Sequence, residues 1–148
     1  MSFVQIGQTF YGFGWEFMLL EVGVLSIFLV PFLSLSWFPV NYSPPKIIIF
    51  LIVFVLFKNM LGSGLIKLRG DACWRDLTCL QHHFETQPLP NPISPWFHRL
   101  PAWVLKGGVL VNHFVELIIP FGLLLTAPFR MVAGIIMGIF QLTLIISG

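Results

Sequence analysis

The sequence contains very few charged residues. Only 9% of its 148 residues are Asp, Glu, Lys or Arg, whereas 57% are hydrophobic, and the mean hydropathy is +0.90. Because soluble domains usually carry about a quarter charged residues, this composition excludes a soluble globular protein and indicates a membrane protein with the lipid bilayer as its surroundings. The net charge is only +2 and no run of Lys or Arg occurs, which excludes nucleic acid as a partner.

Two further absences narrow the interpretation. The start of the chain lacks the basic segment and the small-residue cleavage site of a signal peptide, so a membrane span itself is expected to direct targeting. The chain has only two cysteines, too few for a tetrahedral zinc site without histidines. His82 and His83 are consecutive and point apart, and no HExxH spacing occurs. We therefore expect no metal site and no cofactor.

Four segments approach the roughly 20 apolar residues that cross a hydrocarbon core. They lie at about 17–38, with a kink at Pro31, and at 46–65, 103–126 and 129–146. The short connections predict that spans one and two, and spans three and four, are antiparallel neighbours. The predicted fold is all-α: a polytopic membrane helix bundle of about four transmembrane helices, forming a single membrane domain over residues 1–148. Gly134 and Gly138 have GxxxG spacing, for which we expect packing within the bundle ahead of dimerisation.

A polar, proline-rich segment, residues 67–102, separates the two pairs of spans and is here called the cap. Its second half contains five prolines, which predict an extended chain. Its first half predicts one or two helical turns starting near Asp71. Trp74 and Trp96 predict that the cap lies on the bilayer surface as an interfacial loop, or folds back onto the helices.

Charged groups in the cap are candidates for structure or for client binding. Asp71 and Arg75 have the i, i+4 spacing of a salt-bridged helical turn, and a partner-recognition surface is the alternative. The candidate cap residues are Arg69, Asp71, Trp74, Arg75, Asp76, His83 and Glu85.

The two cysteines, Cys73 and Cys79, leave three states open. In a continuous helix, residues six apart point in different directions and lie too far apart to bridge. In an irregular segment they could form a disulfide. They could also remain free structural thiols, or act as an exchange-active pair, which the missing CxxC spacing disfavours.

Four ionisable residues fall inside the predicted spans. An unpaired charge near the bilayer centre costs at least about 2.5 kcal/mol, so such residues usually pair or line a cavity. We predict a buried polar network of Glu21, Lys58, His113 and Glu116, with Lys58 bonded to Glu116 or Glu21. Its role is packing specificity or, alternatively, acid–base chemistry at an intramembrane active site.

Four blocks of sequence carry a resemblance to a known family. These are "FGWEFMLLEVGVLSIFL" at 13–29, "GSGLIKLRGDACWRDLTCLQHHFETQPLPNP" at 62–92, "NHFVELIIPF" at 112–121 and "FQLTLIISG" at 140–148. Together, and in this order, they resemble the lipase maturation factor family over nearly the whole chain. One departure is Gln81, where the family more often has an acid.

The resemblance implies a longer polytopic protein of which this chain is an internal fragment. It implies residence in the endoplasmic reticulum membrane if eukaryotic, or in the plasma (inner) membrane if bacterial, with the cap on the lumenal side. The basic residues argue the opposite orientation, because five lie on the cap side (Lys67, Arg69, Arg75, Arg99 and Lys106) against two on the other (Lys46 and Arg130). We favour the family placement, since spans outside this chain would set the orientation.

The resemblance also implies the leading functional hypothesis. This is a chaperone-like, non-enzymatic factor that assists folding, assembly or maturation of secreted lipases, with a lipase as client. The alternative is a membrane-embedded enzyme distantly like the vitamin K-dependent carboxylases, with Lys58, His113 and Glu116 lining its reaction cavity. A third hypothesis is a purely structural part of a larger bundle.

Overall fold

The computed structural model describes residues 14–31, 42–84, 86 and 92–147, with backbone alone for residues 14–16. The helices, numbered along the chain, are α1 (Gly14–Ile27), α2 (Lys46–Arg69), α3 (Ala72–Arg75), α4 (Cys79–His83), α5 (Ser94–His98), α6 (Ala102–Leu117) and α7 (Ala127–Ser147), with a 3-10 helix at Ile119–Leu124 between the last two. The described residues contain no β-strand, and the predicted all-α class is confirmed.

Three helical segments in the described part of the chain are long and apolar enough to cross a membrane. They are Lys46–Arg69, Ala102–Leu124 and Ala127–Ser147, with mean hydropathies of 2.2, 1.6 and 2.0. Phe17–Ile27 is a shorter apolar helix. These segments agree with a multi-pass helical membrane protein. The end of the first predicted span, residues 32–38, lies outside the described residues.

Prolines determine where two of the helices end. A proline ring clashes with the carbonyl four residues earlier. For Pro31 that residue is Ile27, where α1 ends, so the proline accounts for the end of α1; because the residues that follow Pro31 lie outside the described ranges, the predicted kink stays a prediction. For Pro120 it is Glu116, and α6 ends one residue later, at Leu117. The predicted third span is therefore an α-helix followed by a 3-10 helix.

The chain divides into two compact units, Met1–Asn59 and Met60–Gly148. The first contains α1 and the first part of α2. In the second, α6 and α7 form the core, where Val109, Val115 and Met137 are almost fully buried. The last part of α2 approaches α6 closely, because a Cβ atom at Gly64 would lie 2.7 Å from Leu117 Cδ2. Glycine is required here by the close approach.

The GxxxG glycines of α7 are not packed in the described structure. A Cβ atom at Gly134 or Gly138 would have no neighbour within 4 Å. The expectation that these two residues pack within the bundle is therefore wrong for the part of the chain that the structure describes.

Candidate functional site beneath the cap

The first half of the cap begins with a capped helix. Asp71 is the N-cap of α3, and its Oδ1 atom accepts a hydrogen bond from Cys73 N–H at 3.0 Å. An aspartate at this position satisfies a free helix amide, as the predicted start near Asp71 requires. The expected ion pair with Arg75 is wrong: neither described ion pair involves Asp71. The reason is that Asp71 precedes the helix, with its carboxylate directed to the backbone.

A sharp turn separates α3 from α4. Leu77 has φ of 59°, a left-handed conformation uncommon for a residue with a side chain. The turn brings Thr78 N–H to Cys73 O at 2.8 Å. It also brings the Cα atoms of Cys73 and Cys79 to 4.7 Å, and the two cysteines form a disulfide. The irregular turn thus supplies the geometry that a continuous helix would have prevented.

The second half of the cap is not wholly extended. Ser94–His98 is a short helix with Pro95 in its first turn, where a missing N–H costs no helical hydrogen bond. The prediction of an extended chain is therefore wrong for these residues, and residues 87–91 lie outside the described part. The buried Ser94 Oγ donates to Ser147 O at 2.8 Å, which ties α5 to the end of α7.

A buried polar cluster joins the end of α2 to the middle of α6. Lys67 Nζ donates to Glu116 Oε1 at 2.6 Å and to Asn112 Oδ1 at 2.9 Å. The same ammonium lies 4.9 Å from the centre of the Trp74 ring, a favourable cation–π distance. Glu116 and Asn112 are buried, so the protein itself encloses this pair of opposite charges.

His113 connects the same region of α6 to the cap. Its Nε2 atom lies 3.0 Å from Trp74 O, and because a carbonyl only accepts, Nε2 carries the proton and donates it. The His113 and Trp74 rings also meet edge to face, with centroids 6.1 Å apart. We call Lys67, Asn112, His113, Glu116 and the backbone and ring of Trp74 the cap anchor.

Two members of the cap anchor are not predicted from the sequence. Lys67 and Arg69 belong to the last turn of α2, and not to the start of the cap as expected. A lysine one turn from a helix end can extend along apolar surface to a distant acid, which is the signal that could have identified it. Asn112 had no role in the prediction, although it precedes His113 and stands one turn before Glu116.

The other predicted intramembrane residues lie in the first unit. Lys58 Nζ donates to both carboxylate oxygens of Glu21, at 2.8 and 2.7 Å. Both side chains are about half exposed, and they line an apolar cavity of about 480 Å³ with Leu20, Phe54 and others. Of the two partners predicted for Lys58, the structure places Glu21 against it, while Glu116 is paired with Lys67.

The remaining described cap candidates, Arg69, Arg75, Asp76 and His83, are all exposed, and Glu85 lies outside the described residues. Part of the His83 side chain lines the cavity beneath the cap, where partial burial and then the nearby Lys67 ammonium lower the pKa of its imidazole below the usual 6.5. Among the described residues, no three His, Cys, Asp or Glu side chains are grouped so as to hold a metal ion.

The cavity in this region has a volume of about 640 Å³. Its walls are the facing sides of α6 and α7, and α4, α5 and the end of α2 complete it. Most lining side chains are apolar, among them Phe84, Leu105 and Phe140, and the polar groups include Lys67, His83 and Asn112. Cavities of this size and composition are typical of small-molecule sites.

Comparison with known proteins identifies the family. The family model described as the lipase maturation factor transmembrane domain matches residues 1–148. This chain belongs to the lipase maturation factor family. The resemblance carried by the four sequence blocks is thereby confirmed.

Individual relatives agree with this assignment. Lipase maturation factor 1 of Mus musculus is 50% identical over all of this chain, and that of Homo sapiens is 46% identical over all of it. Lipase maturation factor 2 of Xenopus tropicalis is 37% identical over 88% of the chain. The chain spans 26% of the length of the first two relatives and 18% of the third. No solved structure matches it.

Proposed function

We propose that this chain is one membrane domain of a chaperone-like factor that assists the folding, assembly or maturation of secreted lipases. Its family membership and the names of its relatives support this proposal. The cap lies at the bilayer surface and contributes to binding a lipase client, by covering apolar client surface until subunit assembly buries it. No chemical change in the client is required.

The observation that carries this proposal is that one set of cap residues contacts α6 while another set is exposed. The cap anchor is directed inward, to α6, and the disulfide fixes the turn between α3 and α4. Arg75 and Asp76 are exposed on the same short segment. A rigid segment that presents charged groups loses little conformational entropy when a partner binds.

We also propose that the cap faces the lumen of the endoplasmic reticulum, or the outside if the protein is bacterial. The disulfide supports this placement, because disulfides persist in oxidising compartments. The excess of basic residues on the cap side opposes it. A cysteine-accessibility assay in sealed microsomes decides between them, since a lumenal Cys73–Cys79 pair resists membrane-impermeant reductants.

The functional proposal is tested by restoring lipase secretion. The full-length protein is produced in animal cells that lack their own lipase maturation factors, and active secreted lipase is measured. We expect Arg75→Ala with Asp76→Ala to lower secreted activity several-fold at unchanged protein level. Lys46→Ala, at the start of α2 and outside the cap, is the matched control and should secrete like the parent. Equal secretion by all variants, or no rescue by the parent, contradicts the proposal.

The enzyme hypothesis makes a different prediction for the same assay. If Glu116→Gln or Lys58→Ala abolished secreted activity while the protein stayed folded and its cap stayed protected, catalysis at these groups would be favoured. The comparisons do not support the carboxylase-like alternative. Lys58 is paired with Glu21, and Glu116 is paired with Lys67 through Oε1, while Glu116 Oε2 has no hydrogen-bond partner among the described residues.

A further inference from the structure

The cavity beneath the cap is elongated along two membrane-spanning helices. Its lining runs from Val104 to Val115 on α6 and from Ile136 to Ser147 on α7. Eleven residue steps at 1.5 Å rise give a length of about 16 Å. That is close to one leaflet of the hydrocarbon core, half of about 30 Å. The cavity therefore has the length of an acyl chain that crosses one leaflet.

The cavity is also open at the exposed outer surface of α6 and α7. Two of its lining residues, Val111 and Ile139, are 56% and 60% exposed. Neighbouring side chains on the same helices, such as Leu110, Ile135 and Leu142, are apolar and similarly exposed. The apolar rim is thus continuous with the outer surface of α6 and α7. We expect a molecule dissolved in the bilayer to reach the cavity along this apolar surface.

The polar groups of the cavity offer hydrogen-bond donors. Lys67 has three N–H donors, and gives one to Glu116 and one to Asn112. Asn112 is 5% exposed, lines the cavity and accepts from Lys67 through its Oδ1 atom, so its Nδ2–H groups are the donors that it can offer. Ammonium and amide N–H groups that line an apolar cavity are stabilised when they meet an acceptor. Ester and phosphate oxygens are acceptors of this kind.

We propose that this cavity binds one acyl chain of a membrane glycerophospholipid, with acceptor oxygens of the lipid near Lys67 and Asn112. The acyl chain occupies the space between Leu105, Phe140 and the cap helices, where it makes van der Waals contacts with the side chains that line the cavity. The bound lipid completes the packing of the cap against α6 and α7. This proposal stands independently of the lipase-related function.

The experiment uses photoactivatable phosphatidylcholine with a diazirine in one acyl chain. The full-length protein is reconstituted in vesicles of this lipid diluted into ordinary phosphatidylcholine, irradiated and digested, and the labelled residues are identified by mass spectrometry. We expect label on Leu105, Val115 and Phe140, which are 6%, 4% and 9% exposed. Lipid in the surrounding annulus cannot reach these side chains, so their labelling reports the cavity.

Two matched variants on α7 make the test specific. Thr143 lines the cavity and Leu142, its neighbour, does not. Thr143→Phe fills the cavity and should lower labelling of the three buried residues several-fold, whereas Leu142→Phe should leave it unchanged. Native mass spectrometry after detergent exchange should show one retained phosphatidylcholine on the parent and on Leu142→Phe, and none on Thr143→Phe.

Three outcomes overturn the proposal. The first is label confined to exposed side chains such as Leu142, with no lipid retained by the parent. The second is equal labelling of the buried residues in both variants. The third is displacement of phosphatidylcholine by free oleic acid or by an apolar peptide at equimolar amounts, which would assign the cavity to another class of ligand. If Thr143→Phe fails to fold, the parent's labelling pattern and lipid stoichiometry still decide the question.

Discussion

The two ion pairs found among the described residues differ in what surrounds them. Lys67 and Glu116 have side-chain exposures of 23% and 5%, and Asn112 and Trp74 contact the same ammonium. Lys58 and Glu21 are 54% and 44% exposed and contact each other. The first pair is built into the protein interior, while the second lies on the surface of apolar helices. Ion pairs of similar length, 2.6 and 2.7 Å, therefore have different roles: the first fixes the cap and the second neutralises charge.

The largest expected effect follows from removing the lysine of the buried pair. Lys67→Met leaves Glu116 buried without its partner, which costs about 3–5 kcal/mol. An SDS unfolding titration measures the loss of free energy. Arg69→Met, an exposed residue in the same turn, is the control and should change the free energy of unfolding by less than about 0.5 kcal/mol. Equal effects of the two changes would show that enclosure of Lys67 is not what stabilises the cap.

A double substitution sharpens this result. Adding Glu116→Gln to Lys67→Met removes the unpaired charge, so part of the lost stability should return. The same titration of the parent, the two single variants and the double variant completes the double-mutant cycle. A double variant less stable than the sum of the single changes would contradict direct pairing.

The disulfide is expected to have the second largest effect. Cys73→Ser with Cys79→Ser opens a loop with a sequence separation of six, for which loop-closure entropy gives about 2 kcal/mol. Thermal unfolding of the parent in dithiothreitol should match that of the double variant without it. The double variant itself should not respond to dithiothreitol. If dithiothreitol did not change the thermal unfolding of the parent, the disulfide would not contribute to its stability.

The exposed pair should couple more weakly than the buried one. We expect the cycle of Glu21→Gln and Lys58→Met to give a coupling energy of about 1 kcal/mol or less, as for other exposed pairs. It is measured by the same titration. A coupling energy equal to that of Lys67 and Glu116 would abolish the distinction between the two pairs.

The smallest expected effect concerns pH and His83. Because burial and Lys67 lower its pKa in the folded state, the unfolded state binds a proton more readily. The stability contributed by neutral His83 is therefore complete above its unfolded pKa of about 6.5 and declines as the pH falls through 6.5 towards the folded value. His83→Gln should make thermal stability less dependent on pH across this window, and His82→Gln, a neighbour that does not line the cavity, should not. Identical profiles for both variants would exclude His83 as the cause.

Some of these features could be predicted from the sequence, because they depend on local chemistry. Long apolar segments marked the helices, and Asp71 marked the start of α3 through its capping carboxylate. Other features depend on contacts between distant residues. Lys67 was missed because its partners, Asn112 and Glu116, lie more than 40 residues away. Leu77 has a positive φ although it is not a glycine, so the turn that joins the cysteines could not be predicted from the sequence.

The prolines account for the end of one helix, but they predicted an extended chain where a short helix forms. Their effect depends on position within a helix. Pro31 ends α1 because its ring excludes a helical carbonyl at Ile27, whereas Pro95 lies in the first turn of α5 and is tolerated. Counting prolines in the cap therefore overestimated its extended character.

The central claim is that the cap is held to α6 by the cap anchor. Hydrogen–deuterium exchange of residues 71–84, compared between the parent, Lys67→Met and Lys58→Met in lipid nanodiscs, tests it most directly. We expect faster exchange across these cap residues in Lys67→Met and parental exchange in Lys58→Met. Unchanged protection of the cap in Lys67→Met, or an equal loss of protection in both variants, would contradict it.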